Sequence, residues 1–208
     1  MLINEVTNAE EVAGLGGLPL LERFIHFCSV MDSPRVLELG ARRSIEERST
    51  LHSEWIPHAS QYIGTDIAPG PDVDVVVDVH GLSAAFGEEA FDAVISCSTF
   101  EHFKYPHLAA HEVMKVLKTG GLLFIQTHQA YPLHAYPCDY FRFSREALAG
   151  LFGTSMGFDV IETDYEFPAD IASSRDPSLS GPAFLNVRLF GKKTGKTPSD
   201  YIYEYGCF

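Results

Sequence analysis

The chain reads as an α/β protein built around a doubly wound, mostly parallel sheet. Short, continuously apolar segments recur along it, as strands covered on both faces do. Segments with helical spacing of apolar residues lie between them, so strand and helix alternate along the 208 residues.

Leu18, Leu21, Ile25 and Cys28 predict a helix over 18–31, with Pro19 in its first turn and Pro34 beyond its end. Arg35–Leu39 is the first strand and runs into Gly40. Ser44 can cap a helix reaching Trp55, with Glu46 and Glu47 in its first turn. Gln61–Ile67 is the second strand and the valine-rich Asp74–Val79 the third. Phe91–Ser98 is the fourth. A helix over His107–Lys118 carries Leu108, Val113, Val116 and Leu117 on one face, and Gly120–Gly121 reads as its C-terminal stop. Leu122–Thr127 is the fifth strand and Ser144–Phe152 a capped amphipathic helix. Phe158–Asp164 and Phe184–Phe190 are the last strands, joined by a polar loop over Pro168–Pro182.

Composition narrows the function classes. Fifteen basic against 28 acidic side chains leave a formal charge of −13, the wrong sign for gripping nucleic-acid phosphates or anionic lipid. No apolar run is long enough to span a bilayer. Met1–Glu11 lacks the basic and apolar regions of a secretory leader. The scattered Cys28, Cys97, Cys138 and Cys207 form no CxxC pair and suit a reducing, cytoplasmic setting. The chain divides into an N-terminal helical extension (1–34), a main domain (35–193) and a tail (194–208) whose aromatics suit docking on the body or on a second copy.

In open α/β sheets the ligand sits beyond the carboxyl ends of the strands. Three acids fall there: Glu38 in the first strand, Asp66 closing the second and Asp78 closing the third. A carboxylate in the place of Asp66 accepts both hydroxyls of a ribose, and one in the place of Asp78 can reach an adenine amino group. Each alone is an ordinary solvated strand end. Their succession points to a nucleoside pocket.

These segments resemble the class I S-adenosylmethionine-dependent methyltransferases of small-molecule type, over about Arg35 to Lys193. Val36–Gly40 looks like the family's first motif, Tyr62–Asp66 its second, and Asp74–Val79 its third strand. Phe91–Ser96 looks like its fourth-strand motif. His111–Leu122 resembles the helix and Pro-Gly-Gly turn before the fifth strand, with Thr119 in place of the proline. The resemblance implies a Rossmann-like sheet of seven strands with an antiparallel last strand, and S-adenosylmethionine as cofactor. It also implies methyl transfer, with O-methylation favoured, to a small and hydroxylated acceptor. The cofactor residues it implies are Glu38, Gly40, Ala41, Arg42, Asp66, Ile67, Asp78, Val79, His80 and Ser96. The family's first motif continues Gly-x-Gly-x-Gly, whereas this chain reads Gly40-Ala41-Arg42-Arg43-Ser44. Arg42 and Arg43 either pair with the carboxylate of the cofactor's methionine or with Glu46 and Glu47.

Two segments are candidates for the acceptor side. Ser98–Phe103 follows the fourth strand and contains Glu101-His102; Ser98 stands where a Glu-x-x-Glu-His metal site would have its first glutamate, so no metal is expected. Thr127-His128-Gln129 and the stretch His134–Ser144 have the place of a lid between a strand end and a helix. The stretch resembles a Pro-x-Asp-Tyr/Phe-Trp-Arg segment of a bacterial methyltransferase subgroup. His102, His128 and Asp139 are the candidate catalytic groups, and Glu101, His134, Tyr136, Tyr140 and Arg142 the candidate acceptor contacts. Asp139 and Arg142 can equally form a pair that fixes the lid. His107 and His111, four apart, read as a solvated helix face with no HExxH acid. Rival readings are a non-catalytic nucleoside-binding protein of this fold and a nicotinamide-dependent oxidoreductase; a phosphate-binding Gly-x-Gly-x-x-Gly loop is missing.

Overall fold

The structure is a computed structural model and describes residues 17–43 and 51–203. Seven strands form one sheet in the order β3-β2-β1-β4-β5-β7-β6. They are β1 (Arg35–Leu39), β2 (Gln61–Asp66), β3 (Val75–Val76), β4 (Phe91–Cys97), β5 (Leu117–His128), β6 (Phe158–Ile171) and β7 (Gly181–Lys193). β1 pairs in parallel with β2 and β4, β2 with β3, and β4 with β5. β7 inserts antiparallel between β5 and β6. The expected sheet of seven strands with an antiparallel final strand is therefore present. The order reverses between β1 and β4, which opens a crevice at their carboxyl ends.

The period-two alternation of strands sends neighbouring residues to opposite faces. Leu37, Val94, Leu123, Ile125 and Leu189 pack on one face beneath α2 (Leu82–Phe86), α3 (Pro106–Val116) and α4 (Arg145–Ala149). Val36, Ala93, Ile95, Leu122, Phe124 and Phe190 face the other side, where α1 (Leu20–Ser29) lies. Phe24 of α1 meets the rings of Phe124 and Phe190 at 5.3 and 5.8 Å. The 18–31 helix thus exists, but Leu20, Phe24, Phe27 and Cys28 form its buried face, while Leu18 is exposed. On α3 the buried set is Ala109, Ala110, Val113, Met114 and Val116, and Leu108 is exposed.

Several boundaries differ from the sequence reading for physical reasons. β3 is only two residues long because it is an edge strand, and Val77 N–H already bonds Asp66 C=O as the chain leaves the sheet. Gly120–Gly121 does not stop a helix. α3 ends at Val116, and the register jumps from Phe91↔Leu117 to Ala93↔Leu122, so the glycines form a bulge inside β5 with Gly120 at φ +91°. β6 and β7 continue through Pro168 and Pro182, which the sequence places in a loop. Pro168 is tolerated because β6 is the sheet's edge, and Pro182 because β7 pairs with β5 only as far as Asn186.

The helix expected over 44–55 falls largely outside the described residues; within them, His52–Trp55 forms a 3-10 turn. Tyr201 and Tyr203 of the tail dock on the body, with the Tyr203 hydroxyl donating to His107 C=O at 2.7 Å and Leu151 C=O at 3.2 Å. Among the described residues no helix is long and apolar enough to cross a membrane.

Candidate functional site

The crevice begins at Gly40, where β1 turns with φ +72°. A Cβ there would stand 2.1 Å from Thr99 Oγ1, so the two chain turns after β1 and β4 approach as closely as backbone permits. Thr99 Oγ1 donates to Cys97 C=O at 2.8 Å, fixing the turn that faces Gly40.

A cavity of about 350 Å³ opens beside this turn and is walled by Glu38, Gly40, Ala41, Arg42, His52, Tyr62 and Cys97 among others. Glu38 is buried and accepts from Tyr62 Oη and faces His52 Nδ1, both at 2.6 Å. Burial, and then the Glu38 charge, drive the Tyr62 hydroxyl far above its ordinary pKa. Asp66 closes β2 and accepts Ala68 N–H at 2.9 Å, a turn that presents its carboxylate at the strand end. Asp66, Ile67, Asp78, Val79, His80 and Ser96 are not in the cavity wall.

Several of the residues expected at the cofactor have other surroundings in the fold. Ser96 is fully buried within β4, and its Oγ finds no partner among the described residues. Asp78 is not a strand end but caps a 3-10 turn: its Oδ1 accepts His80 N–H at 3.0 Å and lies 2.6 Å from His80 Nδ1. These contacts, the backbone bond foremost, hold its pKa below the ordinary value. Arg43 pairs with Asp72 at 2.9 Å, and Arg42 lays its stem against Gly70 with Nε 3.8 Å from Asp66. Glu46 and Glu47 lie outside the described residues.

The ends of β4 and β5 build a different environment. The turn Phe100–His102 carries Glu101 into full burial, where Oε2 accepts from Thr127 Oγ1 at 2.6 Å and Oε1 finds no hydrogen bond among the described residues. His128 ends β5 with Nε2 3.0 Å from that Oε1. Its Nδ1 lies 2.9 Å from Asn186 Oδ1, across the β5–β7 ladder. Burial lowers the His128 pKa despite the adjacent Glu101 charge. Tyr131 stacks flat on the imidazole at 4.0 Å and 3°. His102 and His134 point Nε2 at the same Glu101 oxygen from 3.8 and 4.0 Å.

Residues 129–143 cover this cluster. Their backbone is pinned where Tyr140 and Phe141 N–H donate to Glu101 C=O at 3.0 and 3.1 Å. Arg142 grips Asp139 with two parallel bonds of 2.6 and 2.9 Å and also reaches the carbonyls of Tyr131 and Pro132. The Arg142 bonds hold the Asp139 carboxyl well below the usual carboxylate range. Asp139 is therefore the latch of the segment, and the pairing reading of Asp139 and Arg142 replaces a free catalytic base. Tyr136 and Tyr140 are exposed on its outer surface. Asn186 is the contact that sequence reasoning missed; only its register opposite His128 exposes it, and no motif marks it. His107 and His111 stay apart from the cluster and lie against Tyr203 and Tyr201 of the tail.

Residues 49–125 match the family described as a methyltransferase domain. No curated protein matches the chain. Solved structures of the same fold are numerous. An S-adenosylmethionine-dependent methyltransferase from Archaeoglobus fulgidus is 16% identical, with 89% of this chain and 94% of that one covered at a TM-score of 0.60. One from Mesorhizobium loti is 16% identical, covering 86% and 100%, at 0.57. The 1,6-didemethyltoxoflavin-N1-methyltransferase of Burkholderia thailandensis, with its substrate and S-adenosylhomocysteine bound, is 13% identical, covering 90% and 84%, at 0.56. At such identities the likeness is one of fold.

The reversed strand order, the antiparallel β7 and the crevice at Gly40 define a class I methyltransferase fold. The segment that matches the methyltransferase-domain family spans β2 to β5, and the whole sheet carries the fold of S-adenosylmethionine-dependent methyltransferases.

Proposed function

We propose that the chain transfers a methyl group from S-adenosylmethionine to a small hydroxylated acceptor. The nucleoside lies over the ends of β1 and β2, with Gly40 giving backbone access and Asp66 accepting the ribose hydroxyls. The observation that carries the cofactor half is the turn at Gly40, closed against Thr99, with a strand-end carboxylate on the neighbouring β2. Arg42 then exchanges its distant pairing with Asp66 for the carboxylate of the cofactor's methionine. Glu38 orders the cavity through Tyr62 and His52 and does not contact ligand.

The acceptor lies under the 129–143 segment, at the ends of β4 and β5. Transfer from a sulfonium needs the acceptor oxygen held in line and a group to take its proton. His128 supports that role best, since burial favours its neutral form and Glu101 steadies the imidazolium once formed. His102 and His134 line the acceptor side of the pocket beside Glu101. The Burkholderia relative is named as an N-methyltransferase, so oxygen as the accepting atom is this reading's own and rests on the histidine and carboxylate chemistry around the pocket.

Calorimetric titration with S-adenosylhomocysteine tests the cofactor half, and a fitted Kd in the micromolar range is expected. No heat at millimolar ligand would overturn it. Transfer of labelled methyl from S-adenosylmethionine to hydroxylated compounds, but not to their deoxy counterparts, tests the acceptor half.

A further inference from the structure

The convergence of Glu101, His102, His128 and His134 goes beyond what methyl transfer requires. The groups come from three places in the chain, and each imidazole aims the same atom at the same point. Nε2 of His128, His102 and His134 lie 3.0, 3.8 and 4.0 Å from Glu101 Oε1. The ligating atoms of Glu101, His102 and His134 all fall within 4.8 Å of one another.

The opposite ring nitrogens settle the tautomers. Nδ1 of His102 is 2.7 Å from Cys138 C=O, that of His128 is 2.9 Å from Asn186 Oδ1, and that of His134 is 3.2 Å from Pro132 C=O. An oxygen of this kind only accepts, so Nδ1 carries the proton in every case. Each neutral ring then presents an Nε2 lone pair to a buried carboxylate oxygen that itself lacks a hydrogen bond. Four electron-rich atoms facing one another in a buried spot repel unless a cation lies between them.

From this geometry we infer a divalent transition-metal site of the zinc class, with Glu101 Oε1 and Nε2 of His102 and His134 as ligands, a fourth position open, and His128 outside the ligand set. Imidazole and carboxylate donors are what such ions take, and magnesium or calcium would call for more oxygens. Ligand atoms about 2.0–2.1 Å from a tetrahedral zinc stand about 3.3 Å apart. Nε2 of His102 and His134 stand 3.8 and 4.0 Å from Glu101 Oε1, so the ligands draw inward around the ion. The second shell is already in place. Metal-bound histidines regularly donate their other N–H to a carbonyl or carboxylate, and here both do. Thr127 holds the other oxygen of Glu101 in the same way. Sequence spacing hid the site, because Ser98 stands in place of a first glutamate and the third ligand comes from the covering segment.

The site stands whether or not the methyl-transfer reading does, since its test needs no cofactor. Untagged full-length protein is stripped with chelator, titrated with Zn2+ alone, and assayed for bound metal after dialysis. A second titration with Co2+ reads the ligand field. One equivalent bound with Kd at or below about 1 µM is expected, with the intense visible bands of tetrahedral cobalt. His134→Ala and His102→Ala, both in half-buried positions, should each lose stoichiometric binding. Thr127→Val, which releases only the hydroxyl bond to Glu101 Oε2, should weaken binding by about 10-fold. His111→Ala serves as a control and should bind like wild type. Sub-stoichiometric metal in the wild-type protein would overturn the inference, leaving the cluster a proton-sharing network. So would affinity unchanged in both the His102→Ala and His134→Ala variants.

Discussion

The two halves of the sheet's carboxyl edge solve the problem of buried polarity in opposite ways. At the ends of β1 to β3 every acid is answered from within the fold. Glu38 faces Tyr62 and His52, Asp66 accepts a backbone N–H, Asp74 accepts Gly64 N–H at 2.8 Å, and Asp78 caps its own turn. At the ends of β4 and β5, Glu101 keeps a fully buried oxygen without a hydrogen bond, ringed by three imidazoles. A side whose groups are already paired can receive a ligand by adding contacts to a formed surface. A side with an unanswered carboxylate is incomplete until something cationic joins it. The difference separates a preformed shelf, the proposed nucleoside site, from the centre proposed to take a cation.

The largest expected effect lies on the shelf. Asp66→Ala removes a carboxylate that would receive two ribose hydroxyls, each a charge-assisted bond. Affinity for S-adenosylhomocysteine should fall by about 100-fold, near 3 kcal/mol, read by calorimetry, with the melting temperature little changed. Unchanged affinity would move the nucleoside off the end of β2 and erase the contrast between the halves.

Gly40→Ala comes next. A left-handed backbone costs a non-glycine residue roughly 1–2 kcal/mol, and the new Cβ would collide with Thr99, whose Oγ1 is 2.1 Å from its position. A loss of about 2–3 kcal/mol in denaturant unfolding is expected, together with weaker cofactor binding. Loss of stability with full cofactor affinity would show that the turn serves the fold alone.

The strands of the nucleoside shelf were more legible than the centre opposite, and the cause is range. Arg35–Leu39 and Gln61–Asp66 announce themselves because each is a local run around buried apolar residues, and their order then places Gly40 and Asp66. Asp78 shows the limit of that logic. Its position suits a strand end, but whether β3 pairs that far depends on an edge no local pattern reports, and a side chain two residues from His80 is taken up locally. The histidine centre is a matter of tertiary distance. His128 and His134 follow Glu101 by 27 and 33 residues, and Asn186 comes from a strand inserted out of sequence order. The proline-bearing ends of β6 and β7 were hidden in the same manner, since proline forbids a central strand but not an edge.

Arg142→Lys should have a smaller effect, on the covering segment alone. Lysine keeps the charge but loses the fork that holds Asp139 and the Tyr131 and Pro132 carbonyls together. Limited proteolysis within 129–143 should speed up several-fold while S-adenosylhomocysteine affinity stays within about 2-fold of wild type. Equal loss of both would mean that the two halves are one cooperative unit.

The smallest effect tests the self-contained character of the shelf. Asp78 is largely exposed, and its pKa lies below the ordinary 3.8 chiefly because its carboxylate accepts His80 N–H. A carboxylate with a depressed folded-state pKa adds stability that is fully present above the unfolded value and is lost as pH falls through the folded one. Asp78→Asn should therefore lower the unfolding free energy slightly at pH 7 and at pH 5, by less than about 1 kcal/mol for an exposed cap. Wild type and variant should begin to converge as the pH drops below 3.8 and coincide only below the depressed folded-state value. Cofactor affinity should change much less than for Asp66→Ala, because the Asp78 oxygen is already engaged by its neighbour. If Asp78→Asn instead matched Asp66→Ala in lost affinity, the third acid would bind ligand after all, and capping would be its resting state between turnovers.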